Sequence, residues 1–267
     1  MKSVNHPVLD KNYQLMFDEA AHEYRVSDGT EDHKTFGRTA WDDARPVLSV
    51  TQLVKHYAPE FDGPGIAARV AAKNGTTAEA VQAEWTAAAD MGTRVHANQE
   101  GFMKYETMPR ERALSEREHN IMRHGWDAFQ AITAYGWIPT AAEVMVFSYA
   151  MRLAGTIDAY FTRDREVLLV DWKTNKEIRR ANKYGGKMLG PVAHLDDCEF
   201  NKYALQLNLY ARILREDAYI PAAQAVRMVI MHLRPDGFES IPVPIMPEVD
   251  AVLLDYVKNG YFQDAPF

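Results

Sequence analysis

The chain has 267 residues, a formal net charge of −7, 47% hydrophobic and 25% charged residues, the balance of a globular protein of one large domain or a core with additions. Its single cysteine, Cys198, rules out an internal disulfide or a cysteine-built zinc or iron–sulfur centre and fits a reducing, intracellular setting. No apolar stretch is long enough for a membrane span, the opening residues lack the apolar run of a signal peptide, and no GxxxxGK[S/T] phosphate loop is present for an ATP-driven motor.

Along the chain, Tyr13–Phe17 and Glu23–Val26 flank a polar turn and read as a β-hairpin. Residues 27–46 read as loop. Ser49 suits the N-cap of a short helix through Tyr57, ended by Pro59. Residues 65–104, rich in Ala, Glu and Gln, read as two or three helices with a break at Gly92, and residues 115–135 as one long amphipathic helix. Three strands with tight links follow: Glu143–Tyr149, with Glu143 opening it, Leu153–Phe161 and Val167–Trp172. A glycine-containing loop (Gly185, Gly186, Gly190) leads to a helix at Asn201–Glu216. Strand Ala225–Leu233 pairs with Phe238–Val243 across Arg234-Pro235-Asp236-Gly237, and Pro247 suits the first turn of a last helix through Val257. The order from residue 115 to 233 is helix, three strands, helix, strand. Two regions are expected: residues 1–110, a hairpin and helices packed on the core, and residues 111–267, the core itself.

The acidic balance counts against nucleic acid, but its distribution counts for it. From Lys173 to Lys187 there are six basic residues (Lys173, Lys176, Arg179, Arg180, Lys183, Lys187) and one acid, Glu177. Such a run alone reads as solvated surface. It follows directly on Asp158, Asp171 and Lys173, which lie on consecutive strands. Strand alternation turns Asp171 and Lys173 to one face and Trp172 to the other, and pairing of the strands would set Asp158 beside Asp171. Phosphodiester hydrolysis needs such a set. Two carboxylates can hold one or two magnesium ions against a phosphate, and a lysine stabilises the charge that develops on it. A bare D-x-K is common by chance and more often makes a weak surface ion pair.

The strings Gly155-Thr156-Ile157-Asp158 and Val170-Asp171-Trp172-Lys173-Thr174 resemble motifs II and III of the PD-(D/E)xK nucleases, in particular the RecB-like exonuclease branch. Gly92-Thr93-Arg94-Val95-His96 is similar to that branch's upstream G-x-x-x-H, and Gln206-Leu207-Asn208-Leu209-Tyr210 to its Q-x-x-x-Y. Leu48-Ser49-Val50-Thr51-Gln52 resembles a segment of phage and mitochondrial members. The resemblance implies an α/β fold: a restriction-endonuclease-like αβββαβ core with a mixed central sheet, extended at the N-terminus by helices. It implies Asp158, Asp171, Lys173, Gln206 and Tyr210 as the catalytic group. His96, Glu143, Asp158, Asp171 and the Trp172 backbone carbonyl would face Mg²⁺ or Mn²⁺, one or two ions. Aspartate stands at the D/E position, and the four cysteines of the cluster-bearing relatives are missing, so no iron–sulfur cluster is expected.

The function expected is a metal-dependent DNA exonuclease acting on single strands or free ends, in recombination, replication or repair, fitting for a phage and open to a recombination or replication partner. Lys176, Arg179, Arg180, Lys183 and Lys187 would grip DNA phosphates. Trp172, Tyr184 and Tyr203 are candidates for base stacking, with burial in the core the favoured reading for each. Residues 50–135 would form a helical wall beside the sheet. The alternatives are a structure-specific or restriction-like endonuclease and a non-catalytic DNA-binding module.

Overall fold

The structure, a computed structural model, describes residues 1–5, 13–21, 23–27, 41, 44–105 and 115–259. Most of the 27–46 segment and the expected boundary at residue 110 lie outside them. Among the described residues nine strands form one mixed sheet. β1 (Lys2–Asn5), β2 (Gln14–Asp18), β3 (Glu23–Ser27) and β4 (Arg45–Ser49) run antiparallel in succession. β4 then joins β6 (Leu153–Arg163) in parallel. β5 (Ile138–Ser148) pairs antiparallel with β6 along one edge, and β7 (Glu166–Lys173) antiparallel with it on the other. β8 (Ala225–Arg234) lies parallel to β7, and β9 (Gly237–Val243) closes the sheet.

The strands sort their side chains by alternation into two apolar layers. Val167 and Leu169 of β7 and Met228 and Ile230 of β8 face one layer. Leu168, Val170 and Trp172, with Val229, Met231 and Leu233, face the other. Both faces of β7 and β8 are therefore covered, which is why they read as near-continuous apolar runs. The first layer is roofed by α1 (Val50–His56), α5 (Glu199–Glu216) and α6 (Glu248–Lys258). The second is roofed by α3 (Ala78–Tyr105) and α4 (Glu116–Ala134), with α2 (Gly63–Asn74) docked on α3 through Ala67, Ala71 and Val81. The expected αβββαβ order is α4, β5, β6, β7, α5, β8.

Local chemistry sets the ends of α1. Ser49 Oγ accepts from Gln52 N at 3.0 Å while Gln52 Oε1 accepts from Ser49 N at 2.8 Å, a reciprocal cap that satisfies two otherwise orphaned donors. Three expectations need correction. Gly92 is no break, since α3 runs unbroken from Ala78 to Tyr105. Packing overrides glycine's roughly 1 kcal/mol helix penalty there. The first core strand opens at Ile138, and Glu143 lies inside it. Arg45 and Pro46, the end of the expected loop, open the strand Arg45–Ser49, with Pro46 opposite Arg25.

Candidate active site

β6 carries a gap in its pairing. On the edge away from β5, Leu153 and Ala154 pair with β4, and Ala159 to Arg163 pair with β7. Gly155–Asp158, the motif string, lies between the two partners, where the strands diverge. The register Ala159↔Val170 places Asp158 against Asp171. Trp172 N donates to Asp158 Oδ2 at 2.9 Å, anchoring the carboxylate at the fork.

His96 enters from α3. Its Nε2 donates to the Trp172 carbonyl at 2.8 Å, and its Nδ1 lies 3.5 Å from Asp158 Oδ2. A carbonyl only accepts, so the neutral ring keeps its lone pair on Nδ1, toward the carboxylates. Glu143 enters from β5. The ladder pairs Ala142 with Ala159 and Val144 with Ile157 and skips the position between, where Glu143 has φ +50. One donor atom each from His96, Glu143 and Asp158 falls within 4.8 Å of the others. Asp171 stands outside that trio, its Oδ2 2.7 Å from Lys173 Nζ. The Lys173 ammonium also lies 4.7 Å above the Tyr203 ring, and Tyr203 donates its hydroxyl proton to Asn175 Oδ1 at 3.0 Å. Buried His232, the register partner of Lys173, donates to the Asn175 carbonyl at 2.7 Å.

Burial, reinforced by the Asp158 charge, pushes Glu143 up to about 7. Burial pushes Asp171 up to about 6 against the pull of Lys173. Burial opposes the Lys173 charge, yet Asp171, Asp158 and Tyr203 outweigh it and hold the ammonium above its usual range. The site thus confines negative charge that Lys173 offsets in part.

The glycines of the motifs mark close approach. A Cβ on Gly155 would sit 2.6 Å from Tyr210 Cε1, and one on Gly92 would sit 3.3 Å from Thr174 Oγ1. The missing side chain at Gly155 lets α5 lay Tyr210 on β6, and the one at Gly92 leaves α3 tight against Thr174 at the end of β7. Burial, with Tyr24, Asp158 and Asp171 adding, drives the Tyr210 phenol well above its ordinary range, against a hydrogen bond with Gln206.

Around the trio opens a cleft of about 560 Å³, with Gln206 and Tyr210 in its wall. Lys2, Glu19, Tyr24 and Thr51 complete that wall from the N-terminal strands and α1. Tyr24 reaches Thr156 of the motif string, oxygen to oxygen at 2.8 Å. Lys2 and Tyr24 escaped the sequence reading because no spacing links residues so far apart. Thr51 and Thr156 stood inside strings already singled out.

The five cations expected on DNA divide. Arg179 is paired with Glu199, and Lys187 with Asp196 at 2.6 Å. Lys176, Arg180 and Lys183 are exposed and, among the described residues, without a carboxylate partner. Of the three aromatics, Trp172 is buried and Tyr203 lies half-buried beneath Lys173. Tyr184 is 95% exposed, so the core reading fails for it; the same loop turns Met188 rather than Tyr184 into the first layer.

One imidazole and two carboxylates form a donor set suited to a divalent cation of the magnesium or manganese kind, and a cation there would relieve the repulsion felt by Glu143. The residues therefore fit a metal ion. A comparison with curated proteins gives no match. A family model described as the PD-(D/E)XK nuclease superfamily matches residues 76–249, more than half of the chain, from just ahead of α3 into α6. The chain belongs to the PD-(D/E)XK nuclease superfamily.

Proposed function

We propose that this protein is a metal-dependent DNA exonuclease, hydrolysing phosphodiester bonds from DNA ends in recombination, replication or repair, a role that suits a phage. The superfamily supplies the coarser part of that reading, a nuclease that uses divalent metal ions and acts on DNA. The observation that carries it is the meeting of His96, Glu143 and Asp158 with the Asp171–Lys173 pair at one fork of the sheet.

In this reading His96, Glu143 and Asp158 hold magnesium or manganese, with Asp171 and the Trp172 carbonyl completing the set. When bound, the ion polarises the scissile phosphate and acidifies water. Lys173 presents N–H donors and positive charge where the phosphate gathers charge in the transition state, in a water-poor site where such a charge counts most. Asp171 and Tyr203 keep that ammonium charged and aimed. The Trp172 carbonyl fixes the His96 tautomer, leaving Nδ1 as the donor atom. Tyr210 and Gln206 hold α5 against Gly155, and Lys176, Arg180 and Lys183 meet phosphates outside the cleft.

The preference for ends is supported by the branch-specific motifs. Gly92-x-x-x-His96 and Gln206-x-x-x-Tyr210 both converge on the cleft that holds the trio. The test is degradation of end-labelled single- and double-stranded linear DNA, with a covalently closed circle as control. The expected result is stepwise loss of the linear substrates with magnesium or manganese and an intact circle. Cutting of the circle would replace the exonuclease reading with an endonuclease. No cutting with either metal would leave a DNA-binding module.

A further inference from the structure

The geometry points to Tyr184 as a base-stacking platform for a single-stranded nucleic acid, with Arg180 and Lys183 meeting the adjoining phosphates, a subsite that rests on the nuclease reading above. At 95% exposure, Tyr184 presents the most exposed ring among the described residues. An exposed ring on a loose loop would say little, but this one stands on a tied backbone. Asn182 N donates to Asp196 Oδ2 at 2.9 Å, Asn182 Nδ2 to the Asp197 carbonyl at 2.9 Å, and Tyr184 N back to Asn182 Oδ1 at 2.9 Å. Gly185, at φ +73, donates from its N to the Asn182 carbonyl at 3.0 Å. A Cβ on Gly186 would fall 2.6 Å from Asn182 Nδ2. The loop is thus shaped to hold the ring outward, and binding would order little that is not already ordered.

The charges sort in the same way. Asp196 and Glu199 engage Lys187 and Arg179, which serve the loop itself. Arg180 and Lys183 precede Tyr184 on the same loop without such partners among the described residues, and the Arg180 guanidinium is steadied 5.1 Å above the Phe200 ring. A π-face on one loop with two uncompensated cations matches one ligand chemistry, a strand that offers bases to stack and phosphates to neutralise. A duplex buries its base faces and offers only phosphates, so Tyr184 would discriminate between the two. The loop leaves β7 directly after Lys173 and rejoins the fold at α5, whose Tyr203 lies beneath the Lys173 ammonium.

The test is fluorescence anisotropy of a short labelled single strand and of its duplex, in the Lys173→Ala background with magnesium so that neither is consumed. Tyr184→Ala is expected to weaken single-strand binding about tenfold, with duplex binding and the salt slope unchanged, and Tyr184→Trp to restore it. Arg180→Ala with Lys183→Ala is expected to weaken both substrates and flatten the salt slope by about one to two units. Unchanged single-strand affinity in Tyr184→Ala, equal losses on both substrates, or failure of Trp to rescue would overturn the subsite while leaving the nuclease reading standing. A protein that binds neither substrate, or that prefers an acidic peptide, would overturn both.

Discussion

At the scale of single residues, the site is a place where costs are tolerated together. Glu143 is held at φ +50 inside a strand, a conformation that costs a side chain with a Cβ about 1–2 kcal/mol. Glycine there is therefore expected to be more stable than alanine by about 1 kcal/mol, reversing the usual order within strands. Denaturant unfolding of Glu143→Gly and Glu143→Ala measures this, and a less stable glycine variant would contradict it. The same carboxyl is pushed up to about 7 by burial and by Asp158, while in the unfolded chain it titrates as an ordinary carboxylate. Between those values the folded state binds more protons, so without metal stability is lost as pH rises toward and past 7, by on the order of 3 kcal/mol. Asp171 acts in the same direction up to about 6. Calorimetric melting in a chelator should show a fall from pH 5 to pH 8 that Glu143→Gln makes shallower; an equal fall would remove Glu143 as its source. Tyr203 gives a third test. Tyr203→Leu removes the ring beneath the Lys173 ammonium and is expected to lower kcat by about tenfold with KM little changed, a loss of about 1–2 kcal/mol, while Tyr203→Phe retains most activity. Equal loss in both would shift the role from ring to hydroxyl. Strand alternation alone put Asp171 and Lys173 on one face. The twist at Glu143 and the ring under Lys173 depend on other elements, and no local pattern carries them.

At the scale of elements, the core order was legible because each strand and helix follows its own periodicity. The glycines were legible only as punctuation. Gly92 carried the signature of a helix break, yet its missing Cβ lets α3 pass the end of β7 at Thr174. Gly155 does the same for α5 at Tyr210. Gly155→Ala would force a 2.6 Å contact with the Tyr210 ring and is expected to cost about 1–3 kcal/mol, as overpacking does, while pulling β6 and α5 apart beside Asp158. Thermal melting with a nuclease assay checks both effects, and a variant as stable and active as wild type would contradict the close-approach account. The N-terminal strands were only half visible. β1 is short and polar, and β4 has proline at its second position, so neither shows the alternation that revealed β2 and β3. β1 is placed by its register with β2, and β4 by its register with Tyr24 and with Leu153–Ala154, the latter made across a long stretch of chain.

At the scale of the molecule, the two apolar layers and the sheet between them meet at the fork in β6. His96 reaches it from the α3–α4 layer, Glu143 and Asp158 from the sheet, and Tyr203, Gln206 and Tyr210 from α5 in the opposite layer. The net charge of −7 says little about such a site, since the uncompensated cations Lys176, Arg180 and Lys183 gather on the one loop that follows Lys173. The assembly makes one demand above the others: the carboxylates at the fork and the lysine beside them must act on a phosphodiester with metal present. The most direct measurement is magnesium-dependent release of nucleotides from linear DNA by wild type, Asp158→Ala and Lys173→Ala, each shown to be folded by its melting transition. The account predicts release by wild type and a loss of at least about a thousandfold in both variants, roughly 4 kcal/mol of transition-state stabilisation. Release by either folded variant at the wild-type rate would contradict it.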